Sequence, residues 1–304
     1  MSDLRKRANE FLEQAGTKPG NVDVTAVEPL LDADDGYVRH TALRTLALVA
    51  SENPDQVLPV VETVRSRVDD SYAVASSTAM VILSFVGETN PAEVRPVVPE
   101  IVDRLDNPSP GYRFRAASAL VPLADPSPEV VVDYADDLAD LLVDTPVVSS
   151  IRNDALEEEN LNPGRIKTME KARSRDRGRS IAYREILAHL LVCVADADPA
   201  AIVDRLDDVA EELPESKQPV RQALVEVFRH VAESNDVDVS VPIDPLQDLL
   251  EDDDPTVQAR AVRTLGFAEA TETIPALRAL AERDGNETVS ELARETADWL
   301  AQRT

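Results

Sequence analysis

The sequence predicts an all-α protein, a solenoid of about seven stacked helical pairs. Helix-opening motifs recur about every 36 residues along the chain. Apolar residues between them step at the spacing of one helix face, and no segment alternates as a half-buried strand does. Hydrophobic residues make up 43% of the chain but aromatic residues only 4%, so the core must consist of thin layers of Ala, Val, Leu and Ile, which suits stacked helices.

The first helix of each pair is marked by a small polar residue directly before a proline. The polar residue can cap the helix and the proline can occupy its first position, where a missing N–H costs nothing. The motifs are Asn53-Pro54, Asn90-Pro91, Ser127-Pro128, Asn162-Pro163 and Asp198-Pro199, with their prolines 37, 37, 35 and 36 residues apart. The apolar stretches that follow predict first helices over 57–68, 94–105, 130–142 and 200–213.

The second helices follow short acidic turns, as at residues 32–35 and 251–254. Their apolar residues then recur at helical spacing, as in Val38, Ala42, Leu46 and Val49. A helix near residues 4–12 and the helix that carries Trp299 are expected to cap the two ends of the array.

This pattern resembles the HEAT repeat, in which Leu-Leu-Asp and an acidic turn precede Val-Arg, followed by Ala and Leu at helical spacing. It is clearest at residues 27–50 and 243–268, and residues 274–300 resemble the phycobilisome-lyase-type variant. The resemblance covers roughly residues 24–301. The sequence departs from the repeat pattern in two places: Pro122 is expected to interrupt a helix over 112–124, and residues 145–180 lack an apolar stripe. The resemblance implies a right-handed α-α superhelix with a concave binding face, and it does not imply bilin chemistry.

Four segments are therefore expected. Residues 1–22 form an N-terminal capping helix and linker, and residues 23–144 form HEAT-like repeats. Residues 145–180 form a degenerate basic repeat, either a polar helix in the slot of a first helix or an exposed loop, and Gly164 and Gly178 favour partial disorder. Residues 181–304 form further repeats with a C-terminal cap.

The chain is strongly acidic, with 58 Asp and Glu against 31 Lys and Arg and a formal charge of −27. Only five of its basic residues are Lys, a balance that resembles proteins of salt-accumulating haloarchaea. An acidic mimic of nucleic acid is the alternative, but the acidity is spread through every repeat. The absence of an apolar stretch long enough for a signal peptide or membrane span predicts a cytoplasmic protein.

The motifs of common enzyme classes do not occur in the sequence. It has no Gly-rich phosphate loop, no His-Glu-x-x-His, no nucleophile elbow and no paired cysteines. We therefore expect no catalytic residue, no cofactor and no metal site. A lyase-like enzyme or enzyme accessory is the second alternative to a binding function.

One stretch reverses the charge of the chain. Residues 165–179, the basic segment, hold seven basic and two acidic residues, a local charge of +5 against −32 elsewhere. It can dock on the acidic surface of its own solenoid, bind a protein partner or bind nucleic acid. Nucleic acid ranks last because five phosphate contacts would lose roughly 4.5 powers of ten in affinity for a tenfold rise in salt.

The sequence thus favours a non-catalytic scaffold or adaptor that binds a protein partner, with a nucleic-acid-associated protein as the first alternative. Candidate contacts lie in the basic segment and at positions of the second helices that are expected to be exposed. They are Arg165, Lys167, Lys171, Arg173, Arg175, Arg177 and Arg179, together with Arg39, Arg113, Arg115 and Arg184.

Overall fold

The computed structural model describes residues 3–145, 163–234, 241–283 and 285–303, with the backbone alone at 163–166. All regular structure within these ranges is helical, which confirms the predicted all-α class. The α-helices are α1 Asp3–Thr17, α2 Val24–Val27, α3 Gly36–Glu52, α4 Val61–Ser66, α5 Ala73–Thr89, α6 Pro91–Val94, α7 Val98–Val102, α8 Pro110–Ala124, α9 Ala135–Asp144, α10 Pro163–Ala197, α11 Leu206–Glu211, α12 Gln218–Glu233, α13 Ile243–Asp248, α14 Pro255–Phe267, α15 Ile274–Ala281 and α16 Glu287–Ala301.

The first helices are short and joined to 3-10 turns, where the sequence predicted single α-helices. Residues Pro54–Val60 form a 3-10 helix before α4, and Arg95–Val97 form one between α6 and α7. Internal prolines at 59, 96 and 99 supply the reason, because each lacks the N–H that would continue the α-helical ladder. The expected capping also differs among the motifs: the Asp198 side chain accepts from the Ala200 N–H at 3.1 Å, whereas Asn90 donates to Asp55 Oδ1 at 2.7 Å.

The second helices are longer and carry the predicted apolar stripes. In α3 the residues Val38, Ala42, Leu46 and Val49 are all fully buried. The acidic turns cap these helices as expected, since Asp35 accepts from the Tyr37 N–H at 3.0 Å. Because Pro122 falls in the last turn of α8, the helix continues through it to Ala124, and the predicted interruption does not occur.

The chain divides into two compact units. The first comprises Met1–Val130 with Arg173–Tyr183, and the second comprises Val131–Ala172 with Arg184–Thr304. In the first unit α1 packs on α3, α3 on α5 and α5 on α8. In the second unit α12 packs on α14 and α14 on α16. Side-by-side packing of second helices therefore builds each unit.

The helix α10 spans 35 residues and includes the described part of the basic segment. It begins at Pro163, as the capping motif predicted, but it does not end before residue 181 as a separate first helix would. Its later half is buried through Tyr183, Leu187 and Leu191 and takes the place of a second helix, whose first helix is α9. Residues 163–180 stay helical because Arg, Lys, Glu, Met and Ala are good helix formers, and Gly178 costs only about 1 kcal/mol.

Candidate partner-binding surface

In the first unit the second helix α3 packs on α5, and α5 packs on α8. Residues 173–183 of α10 belong to the same unit, where the Tyr183 ring lies under the Arg113 guanidinium of α8. The apolar stripes of these helices are turned into the core, so polar and charged side chains occupy the opposite side. We call this side the second-helix face. It is where a HEAT-like array would present side chains to a partner.

Two of the predicted contact residues, Arg39 and Arg184, are structural, and the expectation that they are exposed is wrong. The Arg39 guanidinium donates to both carboxylate oxygens of Asp70, at 2.7 and 2.6 Å, and to the Ala33 and Asp34 carbonyl oxygens at 2.8 and 3.0 Å. The hydrogen bond to Asp70, opposed by burial, raises the pKa of Arg39. An arginine at this position therefore joins one repeat to the acidic turn of the next.

Arg184 repeats this arrangement in the second unit and is only 4% exposed. It donates to the Leu142 and Thr145 carbonyl oxygens, both at 2.7 Å, to Ser216 Oγ at 3.1 Å and to the Glu212 carboxylate. Removing it would leave buried acceptors without a donor. The side chain is committed to the fold and is not available to a partner.

Arg113 and Arg115 lie half-buried on α8. The Arg113 guanidinium stacks over the Tyr183 ring at 4.9 Å, and its buried Nε has no hydrogen-bond acceptor. Arg115 donates to Ser77 Oγ on α5. Burial, and next the positive charge of Arg179, lower the pKa of Arg115. Neither arginine forms an ion pair in the part of the chain that the structure describes.

The basic segment is the most exposed part of α10. Lys167, Lys171, Arg173, Arg175 and Arg177 are all exposed, and no ion pair is found for them within the described ranges. The side chain of Arg165 lies outside the described residues. A helix that is basic on several sides and unpaired is open to contact with an anionic partner.

Arg179 is the exception within the segment, because it is half-buried. Its Nη1 lies 3.5 Å from Asp176 Oδ1, and its guanidinium lies against Gly111, where an added Cβ would sit 2.5 Å from Nη1. Arg179 therefore reaches the start of α8, two residues before Arg113.

His40, which the sequence predicts at a surface or groove position of a second helix, and Arg44, which the sequence did not single out, both lie on α3. Arg44 is exposed, and the His40 ring contacts the Tyr72 ring edge to face at a centroid distance of 6.1 Å. Burial lowers the pKa of His40, and the charges of Arg44 and Arg115 lower it further. The spacing of four residues between His40 and Arg44 on a predicted second helix could have indicated that the two side chains lie on the same side of the helix.

The second unit carries a separate apolar groove of about 350 Å³ between α14 and α16. Phe267 and Trp299, 44% and 41% exposed, line it with Leu292. Arg303 stacks over the Trp299 ring at 4.4 Å. The sequence assigned Trp299 to the cap alone and did not predict this groove.

Comparison with known proteins supports the repeat assignment. A family model described as HEAT repeats matches residues 206–297. A search of curated protein sequences finds no match. Within the described ranges, no helix combines the length and the apolar character needed to cross a membrane.

The similar solved structures are repeat proteins at low identity. A structure from work on a phosphorylation switch that controls the interaction between cadherin and beta-catenin aligns with a TM-score of 0.66 at 15% identity, over 98% of this chain and 60% of that one. A designed armadillo repeat protein aligns with a TM-score of 0.52 at 14% identity, over 91% of this chain and 100% of that one. An engineered protein aligns with a TM-score of 0.55 at 18% identity, over 99% of this chain and 86% of that one. The fold is thus that of a HEAT/armadillo-like repeat protein.

Proposed function

We propose that this chain is a non-catalytic scaffold or adaptor that binds a protein partner through the second-helix face and the basic segment. The observation that carries the proposal is the row of exposed cations from Lys167 to Arg177, for which no ion pair is found among the described residues, in a chain whose formal charge is −27. The chain itself contains many carboxylates, so a shortage of acidic residues does not explain why these cations have no ion pair among the described residues. A partner from outside is the better account than docking on the chain's own surface.

The fold supports a binding function without assigning a partner. A stack of helical pairs offers an extended row of side chains and no enclosed cleft, which suits contact with another macromolecule. The cadherin and beta-catenin work describes an interaction between two proteins, and by fold analogy we infer a protein partner here. Nucleic acid is less favoured because its binding weakens steeply with salt.

The proposed working environment is a salt-rich cytoplasm. The excess of acid over base and the scarcity of Lys support this part of the proposal. In such an environment screening confines electrostatic attraction to a few ångströms. Short contacts between arginine and carboxylate would then carry recognition, and arginine predominates in the basic segment.

The test is a triple substitution of Arg173, Arg175 and Arg177 by Gln, followed by pull-down from the native organism at native salt. We expect recovery of the protein partner to fall while the melting temperature stays unchanged, because exposed substitutions usually change stability by less than about 0.5 kcal/mol. The matched control replaces three other exposed cations, Lys6, Lys18 and Arg278, by Gln.

Three outcomes would contradict the proposal. An equal loss of partner recovery in both triple variants would show that the loss depends on net charge and not on the position of the cations. Loss of thermal stability with the partner retained would indicate an intramolecular clamp. Loss of a bound polymer that nuclease also removes would indicate nucleic acid.

A further inference from the structure

Six arginines of the first unit are held by an acid one repeat away. The pairs are Arg5–Asp35, Arg39–Asp70, Arg65–Glu93, Arg67–Asp32, Arg95–Glu129 and Arg104–Asp69, with partners 28 to 35 positions apart. This spacing follows from stacking, which sets equivalent positions of neighbouring repeats side by side. On the second helices α3 and α8 only Arg39 has such an acid, and no ion pair is found for Arg44, Arg113 or Arg115 among the described residues.

Three arginines without such an acid, Arg44, Arg115 and Arg179, are linked to one another or to the His40 imidazole through their charges, and these four residues are here called the cation cluster. His40 and Arg44 come from α3, Arg115 from α8 and Arg179 from the part of α10 in the same unit. Within the described ranges, Asp176, at 3.5 Å from Arg179, is the one carboxylate found to pair with a member of the cluster. The Ser77 hydroxyl on α5, which packs against both α3 and α8, accepts from Arg115.

The members of the cluster act on one another electrostatically. Burial lowers the pKa of His40, with further lowering by Arg44 and Arg115, and burial followed by the charge of Arg179 lowers that of Arg115. Like charges gathered in this way destabilise the folded chain unless an anion offsets them. The chain has 58 acidic residues, yet among the described residues Asp176 beside Arg179 is the one carboxylate found to pair with the cluster, and none is found for Arg44 or Arg115.

We propose that the cation cluster binds carboxylate side chains of an acidic segment in the partner protein. The inference rests on the proposed binding function and assigns the chemistry of the partner at one site. The planar guanidiniums of Arg44 and Arg115 suit forked contacts with carboxylates. Tyr72, exposed and in contact with His40, adds an apolar neighbour for the same segment.

An acidic protein segment fits the cluster better than nucleic acid does. His40, Arg115 and Arg179 are half-buried, Arg44 is exposed, and the chain as a whole carries −27. A duplex carries one negative charge about every 1.7 Å and would meet that acidic surface on both sides. A segment with a few carboxylates can meet the cations alone.

The test uses the full chain, a hexaglutamate peptide, a hexaglutamine peptide and a single-stranded oligonucleotide as probes in molar potassium chloride. We expect hexaglutamate to bind, hexaglutamine not to bind, and Arg44→Gln to weaken hexaglutamate binding roughly tenfold or more, the effect of losing one charge-assisted contact. Arg44 is exposed, so this variant should fold normally. Arg278→Gln, an exposed arginine in the second unit, is the matched control.

A second readout follows the proton on His40 by NMR, which is practicable because the chain has only three histidines. A carboxylate bound at the cluster would raise the pKa of His40, whereas hexaglutamate bound elsewhere would leave it unchanged. No binding of hexaglutamate, equal affinity in the Arg44→Gln variant, or preferential binding of the oligonucleotide would each overturn the inference.

The pull-down separates this inference from the proposed function. If Arg44→Gln leaves recovery of the partner intact while the Arg173, Arg175 and Arg177 triple variant loses it, the protein-binding function stands and the cluster is not its acidic-segment site. If neither variant loses the partner, both proposals fail.

Discussion

Replacing Arg184 with methionine tests whether the arginine of the Val-Arg position holds the array together. Methionine keeps much of the side-chain length and removes the charge and every donor. In the structure Arg184 is 4% exposed and serves four acceptors: the Leu142 and Thr145 carbonyl oxygens, the Ser216 hydroxyl and the Glu212 carboxylate. The substitution would therefore leave a partly buried carboxylate and two backbone oxygens without their donor.

The expected loss is large for a single substitution. Hydrogen bonds from charged donors contribute about 1.5–3 kcal/mol each, and removal of one partner of a buried ion pair costs about 3–5 kcal/mol. These figures overlap because the same contacts are counted in both, so we expect about 3–5 kcal/mol in total. At roughly 2–4 °C per kcal/mol for a unit of this size, the melting temperature should fall by about 10 °C.

The measurement is denaturant unfolding of the wild type and three variants in molar salt. Arg177→Met on the exposed half of the same helix is the matched control and should change the free energy of unfolding by less than about 0.5 kcal/mol. Glu212→Gln keeps an acceptor for Arg184 and should lose less than Arg184→Met. A loss below about 1 kcal/mol for Arg184→Met would refute the structural role and return Arg184 to the set of candidate partner contacts.

Three further outcomes are expected. Burial opposes ionisation of Asp70, but the hydrogen bonds that Asp70 accepts from Arg39 and the Tyr72 N–H lower its pKa overall. The Asp70 carboxylate therefore stabilises the fold above about pH 4, and this contribution is lost as the pH falls through the pKa of Asp70 in the folded protein. Unfolding titrations of the wild type and Asp70→Asn should converge in acid, and a constant difference would contradict this. Gly36→Ala should destabilise the protein because the added Cβ would lie 2.9 Å from Tyr72 Cβ. Gly178→Ala, with no atom within 4 Å of the added Cβ, should instead stabilise the protein by up to about 1 kcal/mol. Equal shifts in melting temperature for the two variants would show that the contact between Gly36 and Tyr72 does not matter. Stability should also rise from dilute to molar potassium chloride, because a formal charge of −27 repels itself, and a flat or falling melting temperature would oppose the proposed salt-rich environment.

The second helices were predictable because one physical cause fixed both their pattern and their ends. Each buries one stripe against its neighbours, so Val38, Ala42 and Leu46 recur at helical spacing, and an acidic residue such as Asp35 caps the start. The first helices were predicted as whole α-helices because the apolar spacing outweighed their internal prolines. Pro59 and Pro99 carried the missing information, since neither can donate to the helical ladder.

The proline spacing misled at residue 163. Asn162-Pro163 falls in phase with the other motifs, and Pro163 does begin a helix, yet that helix continues to Ala197. A capping motif marks a start and contains no information on length, which depends on the residues that follow. Between 165 and 179 those residues favour helix on propensity although they lack an apolar stripe.

The candidate site was predicted in part because charge alone does not distinguish a structural arginine from an exposed one. The distinguishing signal is register: Arg39 and Asp70 lie 31 positions apart, and Arg221 and Asp252 repeat that spacing in the second unit, with their charged atoms 3.0 Å apart. Glu13 lies 31 positions before Arg44, yet no ion pair between the two is found among the described residues. Stacking thus allows a contact at this spacing without ensuring it, and an arginine left without the contact becomes a candidate for external contact.

The absence of an acidic partner is a stronger indication of external contact in this acidic chain than in a neutral one. Where acids and bases are equal in number, an unpaired arginine can reflect a local shortage of carboxylates. Here acids outnumber bases 58 to 31, and the paired arginines show that the repeat readily places an acid beside a cation. Arg44 and Arg115 both lower the pKa of His40, and no carboxylate is found to pair with either arginine among the described residues. One substitution to Asp or Glu nearby would offset these charges, so their persistence supports the proposal that carboxylates of a partner bind there.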